Sequence, residues 1–280
     1  MSMTWFITGA SSGFGRALTQ KLLARGDRVA ATTRNTQALD DIRERYSDRL
    51  WNAALDVRDL QAVRETVDRA FAEFGPIDTV VSNAGYGILG AAEETTDGQL
   101  RDIVDTNLTG SIVLIRSALP HLRMQGGGRI LQVSSEGGQI AYPGFSLYHA
   151  TKWGIEGFVE ALAKEVAPFG IRLTLVEPGP ARTNFGRGLV QPEPISAYDG
   201  TPAHQTRDAL LSGNWAITGD PERMADAMIM VADQPDPPLR LVLGGTSYTA
   251  VRDALSARLG ELEAQREIAF STDYPAEELA

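Results

Sequence analysis

The segment Trp5-Phe6-Ile7-Thr8-Gly9-Ala10-Ser11-Ser12-Gly13-Phe14-Gly15 runs a short apolar stretch into a glycine-rich turn, and helical periodicity follows from Gly15 to Arg25. The order is strand, turn, helix. Glycine at such a turn lets the backbone bend sharply and come close to a pyrophosphate, while free N–H groups at the helix start supply donors and a positive dipole end. Ser11 and Ser12 add hydroxyl donors. Gly9, Ser11, Ser12, Gly13, Phe14 and Gly15 therefore read as a dinucleotide cradle, although a tight turn without a ligand can use the same residues. The spacing is Gly-x-x-x-Gly-x-Gly, without the Lys-Ser/Thr ending of a P-loop, which argues against nucleoside triphosphate hydrolysis.

Outward from this segment, short apolar runs alternate with amphipathic stretches of helical length, the pattern of βαβ units in a parallel sheet. Strands are expected at Trp5 to Thr8, Arg28 to Thr33, Leu50 to Leu55, Thr79 to Asn83, Arg129 to Ser134, Arg172 to Val176 and Leu239 to Leu243. Helices are expected near Gly15 to Arg25, Thr36 to Tyr46, Asp59 to Phe74, Gln99 to Arg123 and Ser146 to Ala167. No composition shift or internal repeat divides the 280 residues, so the whole chain, 1–280, reads as one domain. The fold class is α/β: a three-layer, doubly wound Rossmann fold with a seven-stranded parallel sheet. Between Pro180 and Thr218 the periodicity fades into a long excursion, whose part from about 185 to 215 reads as a substrate loop. Asp220-Pro221-Glu222 then opens a helix through Ala232, and an extension from about 246 to 280 carries an extra helix, Tyr248 to Glu267, before an acidic tail.

Composition narrows the chemistry. A net charge of −10, from 26 Lys+Arg against 36 Asp+Glu, argues against a nucleic-acid surface. With no cysteine and three histidines, disulfides and thiolates are excluded and no metal site is expected. No long apolar run or signal segment is visible, which points to a cytoplasmic protein without a membrane partner. At the end of the second strand stand Thr32-Thr33-Arg34-Asn35, with no carboxylate for ribose hydroxyls. Arg34 suits a 2′-phosphate, favouring NADP over NAD, with NAD still possible; otherwise it is a solvated arginine opening a helix. Asp56, beside Val57, reads either as a partner of the adenine amino group or as a helix cap. Tyr148 and Lys152 lie four residues apart and share a helix face, while Ser134-Ser135 ends the fifth strand on the edge where α/β sheets place ligands.

On these residues the chain resembles the short-chain dehydrogenase/reductase family, in its single-domain standard subclass, over about residues 4 to 245. Four motifs match in order: Thr8 through Gly15; Ser82-Asn83-Ala84-Gly85; Ser135 with Tyr148-x-x-x-Lys152; and Pro178-Gly179 with Thr183. Ser82 departs from the family's usual Asn. The spacing of thirteen from Ser135 to Tyr148 matches the family and selects Ser135 over Ser134. The resemblance implies that Asn107, Ser135, Tyr148 and Lys152 are catalytic, and that Asn83, Ala84, Gly85, Tyr148, Lys152, Pro178, Gly179 and Thr183 complete the cofactor site. It implies NADP(H)-dependent interconversion of a ketone or aldehyde and an alcohol, with Tyr148 as general acid/base and its pKa lowered by Lys152 and the oxidised nicotinamide.

Asn83-Ala84-Gly85-Tyr86-Gly87 and the long C-terminus also resemble the family's 17β-hydroxysteroid-dehydrogenase-like branch. A small hydrophobic substrate is expected, with Tyr142, Pro143, Phe145 and Trp215 either lining it or packing in the core. Members of the family are often tetrameric through the last strand and two long helices; here the added helix after the seventh strand departs from that ending, so a homodimer through the helices beginning near Gln99 and Ser146 is expected, with a homotetramer as the other assembly. A nicotinamide-retaining epimerase or dehydratase, and a non-enzymatic NADP-sensing protein, are the alternatives.

Overall fold

The computed structural model describes residues 2–213 and 215–274. Its first strand, β1 (Thr4–Thr8), is buried at every position, with Phe6 turned into one core cluster and Trp5 and Ile7 into another. A strand apolar on both faces needs cover on both, and this is met in a sheet whose strands are all parallel. The sheet continues with β2 (Arg28–Thr33), β3 (Leu50–Ala54), β4 (Thr79–Ser82), β5 (Gly128–Val133), β6 (Ile171–Pro178) and β7 (Arg240–Leu243), in the order β3-β2-β1-β4-β5-β6-β7. The helices are α1 (Gly13–Arg25), α2 (Asp40–Tyr46), α3 (Leu60–Phe74), α4 (Asp97–Val104), α5 (Gly110–Met124), α6 (Ser146–Val166), α7 (Pro202–Leu211), α8 (Pro221–Ala232), α9 (Gly245–Ala264) and α10 (Arg266–Ser271).

Apolar residues of α3, α5 and α6 pack on the face of Phe6; those of α1, α2 and α8 pack on the face of Trp5 and Ile7. In α1, Leu18 and Leu22 stand one turn apart and are fully buried, and the helix ends where Gly26 takes a left-handed φ of 101°. Because β1 lies between β2 and β4, successive crossovers leave in opposite directions from its C-terminal end. A crevice opens there, between the turn after β1 and the loop after β4.

Several expected elements differ in detail. The stretch from Gln99 to Arg123 is not one regular helix: a π-helical turn, Asp105–Thr109, separates α4 from α5. An extra residue in one turn leaves apolar periodicity nearly intact on either side, so it escapes a pattern reading. Thr36–Leu39 forms a 3₁₀ turn before α2, and β6 runs on to Pro178. The excursion after Pro180 contains a helix of its own, α7, and the extra C-terminal helix is two, α9 and α10. The end of the acidic tail, 275–280, lies outside the described residues.

Candidate active site

At the crevice the backbone itself is shaped by glycine. Gly9 and Gly13 adopt φ values of +69° and +54°, and a Cβ on Gly15 would stand 2.5 Å from the Gly9 carbonyl oxygen. Asn83, just past β4, donates through Nδ2 to the carbonyls of Thr8 at 2.9 Å and Gly9 at 3.2 Å. In return the Thr8 hydroxyl accepts the N–H groups of Asn83 and Ala84, at 3.0 and 3.1 Å. The two sides of the crevice are thus tied to each other. Helices α3, α4 and α8 begin with side-chain caps from Asp59, Thr96 and Asp220, whereas Ser12 makes no such bond at the start of α1. The first N–H groups of α1 and the hydroxyls of Ser11 and Ser12 are therefore available to an anion, which fits a dinucleotide pyrophosphate. Thr183 overhangs this turn, its Cβ 3.6 Å from the position a Gly13 Cβ would take.

Arg34 is exposed at the end of β2 and makes no hydrogen bond or ion pair among the described residues. Asp56 is engaged by Arg58, whose guanidinium lies 2.8 Å away and whose N–H donates at 3.0 Å. That bond holds the Asp56 carboxyl below its usual range against burial, with Arg34 adding a smaller attraction. The cap of α3 is Asp59, not Asp56. Val57 is buried, its carbonyl packed so tightly on Gly110 that a Cβ there would come within 2.6 Å. Arg58, a second guanidinium at this edge, escaped the sequence reading although it stands two residues past Asp56.

The other end of the crevice collects the polar residues of β5 and α6. Ser135 follows β5 and its hydroxyl accepts the Gly137 N–H at 3.0 Å. Tyr148 and Lys152 lie one turn apart on α6, both buried, and the Lys152 ammonium is 5.5 Å from the centre of the Tyr148 ring. Lys152 donates to the Val133 carbonyl at 3.0 Å, at the end of β5. Asn107, buried in the π turn, grips Tyr86 by accepting its N–H at 3.0 Å and donating to its carbonyl at 2.8 Å, and also donates to Thr151 at 3.2 Å. A Cβ on Gly85 would lie 3.1 Å from Asn107 Oδ1 and 3.9 Å from Lys152 Nζ, so Gly85, Asn107 and Lys152 meet at one point.

Burial pushes the Tyr148 phenol up to about 12; the nearby Ser135 hydroxyl pulls the other way, and the negative charge of Glu136 adds to the rise. Burial also brings the Lys152 ammonium down to about 8, against the attraction of Glu156. This differs from the expectation of a lowered phenol: desolvation outweighs the neighbours when the chain acts alone. His149, next to Tyr148, has its Nδ1 2.8 Å from the Gly137 carbonyl and accepts the Tyr142 N–H through Nε2 at 2.8 Å. Burial lowers its pKa, against the opposing pull of the bonds to the Gly137 and Tyr142 backbone. It folds the segment after Ser135 back onto α6, a role with no signal in local spacing.

On the side of the long excursion, Phe185 tilts over Tyr148 with ring centres 5.6 Å apart, and Tyr142 meets Trp215 edge to face at 5.7 Å. Phe145 belongs to a buried cluster with Ile88, Leu89 and Ile103, while Pro143 is exposed. The excursion is pinned by His204 of α7, which is buried with Nε2 2.6 Å from Glu94 and Nδ1 3.3 Å from Asp199. Burial would raise Glu94, but the Ile195 N–H, His204 and the Ala91 N–H offset it and hold the carboxyl below its usual range. No group of three or more metal-ligating side chains forms among the described residues, and no helix there is long and apolar enough to cross a membrane.

A doubly wound parallel sheet with a glycine crevice at its switch point, and serine, tyrosine and lysine at the end of β5, defines a class of α/β oxidoreductase. The chain belongs to the short-chain dehydrogenase family, whose model matches residues 4–194. It is 34% identical over 273 residues to oxidoreductase BOA17 of Botryotinia fuckeliana, covering 97% of this chain and 100% of that protein. A short-chain dehydrogenase from Streptomyces avermitilis superposes with a TM-score of 0.91 at 39% identity, over 98% of this chain and 100% of that one. The closed form of serine dehydrogenase complexed with NADP+ superposes at 0.75 with 26% identity, over 86% of this chain and 94% of the other.

Proposed function

We propose that this oxidoreductase uses NADP(H) to interconvert a ketone or aldehyde and an alcohol on a small hydrophobic substrate, as one catalytic domain spanning 1–280. The observation that carries this is the meeting of Ser135, Tyr148, Lys152 and Asn107 at the sheet edge that also bears the glycine crevice. The nicotinamide supplies or accepts the hydride. Tyr148 gives its hydroxyl proton to the carbonyl oxygen in reduction and takes it back in oxidation. Ser135 donates a second hydrogen bond to the same oxygen, where negative charge develops. Lys152 holds the nicotinamide ribose hydroxyls, and its positive charge favours the phenolate. Asn107 keeps a water beside Lys152 and so links Tyr148 to solvent.

The remaining residues bind. Gly9, Ser11, Ser12, Gly13, Phe14 and Gly15 cradle the pyrophosphate; Arg34 pairs with the 2′-phosphate; Asp56 and Val57 border the adenine. Asn83, Ala84 and Gly85 line the cleft, Pro178 and Gly179 complete the cofactor site, and Thr183 holds the carboxamide. The NADP+ complex of serine dehydrogenase supports the choice of cofactor. Exposed Leu100 on α4 and Trp153 on α6 support pairing of two copies through these helices, as a homodimer or as part of a homotetramer in the cytoplasm. The test is stopped-flow hydride transfer against a ketone panel with NADPH and NADH. Net oxidation of NADPH by at least one ketone, faster than of NADH, is expected. NADPH binding without any turnover would mark a sensor, and turnover without net NADPH oxidation an epimerase; either overturns the reading.

A further inference from the structure

Five carboxylates are buried among the described residues: Asp27, Glu94, Glu136, Glu156 and Glu177. Four of them have a basic side chain as partner, an arginine or a histidine. Asp27 is bound by Arg25 at 2.8 Å, Glu94 by His204 at 2.6 Å, Glu177 by Arg240 at 2.8 Å, and Glu156 by the same Arg240. Glu136 is the exception. It is 5% exposed, and one oxygen accepts a hydrogen bond from the Tyr142 hydroxyl at 3.0 Å. Its other oxygen, Oε2, has no donor among the described residues. A carboxylate largely withdrawn from water and held by one hydroxyl gains from the arrival of a cation, which forms a charge-assisted hydrogen bond with it.

The position of this group is specific. Glu136 directly follows Ser135, and its charge reaches the Tyr148 phenol. Oε2 lies 3.1 Å from the point a Cβ on Gly179 would occupy, and Ser247 Oγ lies 1.7 Å from the same point. Ser247 is fully buried and its hydroxyl also lacks a partner. Two polar atoms without partners thus converge beside the serine and tyrosine. Tyr142 holds Glu136 from the side of the substrate loop, where its ring meets Trp215.

We propose that Glu136 receives an ammonium group of the substrate close to the reacting carbon, so that the enzyme selects amino ketones and amino alcohols over neutral counterparts. This rests on the reading of Ser135 and Tyr148 as the groups that hold the reacting oxygen. Tyr142 orients the carboxylate, and the apolar frame of the substrate lies against the aromatic residues around it. A charge-assisted hydrogen bond in such a setting is worth more than a neutral one, enough for about tenfold or more in affinity.

The test compares oxidation of 2-amino-1-phenylethanol and 1-phenylethanol with NADP+, and titrates phenethylamine into the NADP+ complex by calorimetry, for wild type, Glu136→Gln and Tyr142→Phe. Wild type is expected to favour the amino alcohol in kcat/KM by about tenfold or more. Glu136→Gln should bring that ratio close to one and weaken phenethylamine binding by a similar factor, with Tyr142→Phe moving both in the same direction by less. An equal ratio in wild type and in a Glu136→Gln variant of unchanged melting temperature overturns the proposal. So does a variant that loses affinity for NADP+ relative to NADPH while still binding phenethylamine, because Glu136 would then serve the nicotinamide. If neither alcohol is oxidised but phenethylamine binds to wild type and not to Glu136→Gln, the ammonium site stands and the dehydrogenase reading fails.

Discussion

Around Gly9, Gly13 and Gly15 the site is built from main chain, whereas around Tyr142, Phe185 and His204 it is built from side chains that meet across long stretches of sequence. On the glycine side, positive φ angles and the Asn83 bonds to the carbonyls of Thr8 and Gly9 shape the crevice directly. On the loop side, Phe185 reaches Tyr148 and His204 reaches Glu94, partners 37 and 110 residues apart. The first arrangement suits a ligand that is the same throughout a family; the second can be rebuilt around a new substrate without disturbing the sheet.

Breaking the chemistry where the two sides meet should give the largest effect. Tyr148→Phe is expected to lower turnover by about 10²- to 10⁴-fold while NADPH still binds, as read by steady-state rates and fluorescence titration. Retained activity would remove Tyr148 as the proton donor. On the proposed mechanism, alcohol oxidation in the intact protein needs the phenolate and so should rise with pH between about 6 and 9 once cofactor and Lys152 counter the burial that holds the free phenol high. A flat profile of the chemical step would count against this role.

A change confined to the glycine side should alter cofactor choice. Arg34→Asp is expected to shift the NADPH to NADH preference by about a hundredfold, since on the proposed reading it replaces a charge-assisted partner of the 2′-phosphate with a repelling carboxylate. Unchanged selectivity would leave Arg34 as a solvated side chain. The smallest effect is expected on the loop side. His204→Ala removes the imidazole partner of Glu94 but leaves its backbone N–H partners, so a loss of about 2 kcal/mol is expected, read as a lower melting temperature. Because Glu94 is held below its usual range, its contribution is full above the unfolded pKa and disappears as pH falls through the folded one. An unchanged melting temperature would show that the pair does not pin the loop.

The same division separates what local sequence expressed from what it concealed. The glycine turn, the seven strands and the Tyr148–Lys152 pair were legible because each follows from a short period or a spacing along one element. The π turn at Asn107 was hidden because one inserted residue barely disturbs apolar periodicity. Phe145 could be placed neither in the wall nor in the core, since an aromatic residue suits both; the structure buries it with Ile88 and Leu89. Glu136 stands next to Ser135 in the sequence, yet nothing local distinguishes a buried carboxylate from a solvated one.

By itself the sequence determined the doubly wound parallel sheet, the crevice at the end of β1 and the order of the polar motifs, because backbone conformation and burial pattern are set within about ten to twenty residues. Only the tertiary structure decided which charges go unpaired. It gave Arg240 to Glu156 and Glu177, and His204 to Glu94, and left Glu136 without a cation. That distribution depends on which side chains converge after the crossovers fold back, and desolvation then turns a pairing that would matter little in water into one that constrains what the site can bind.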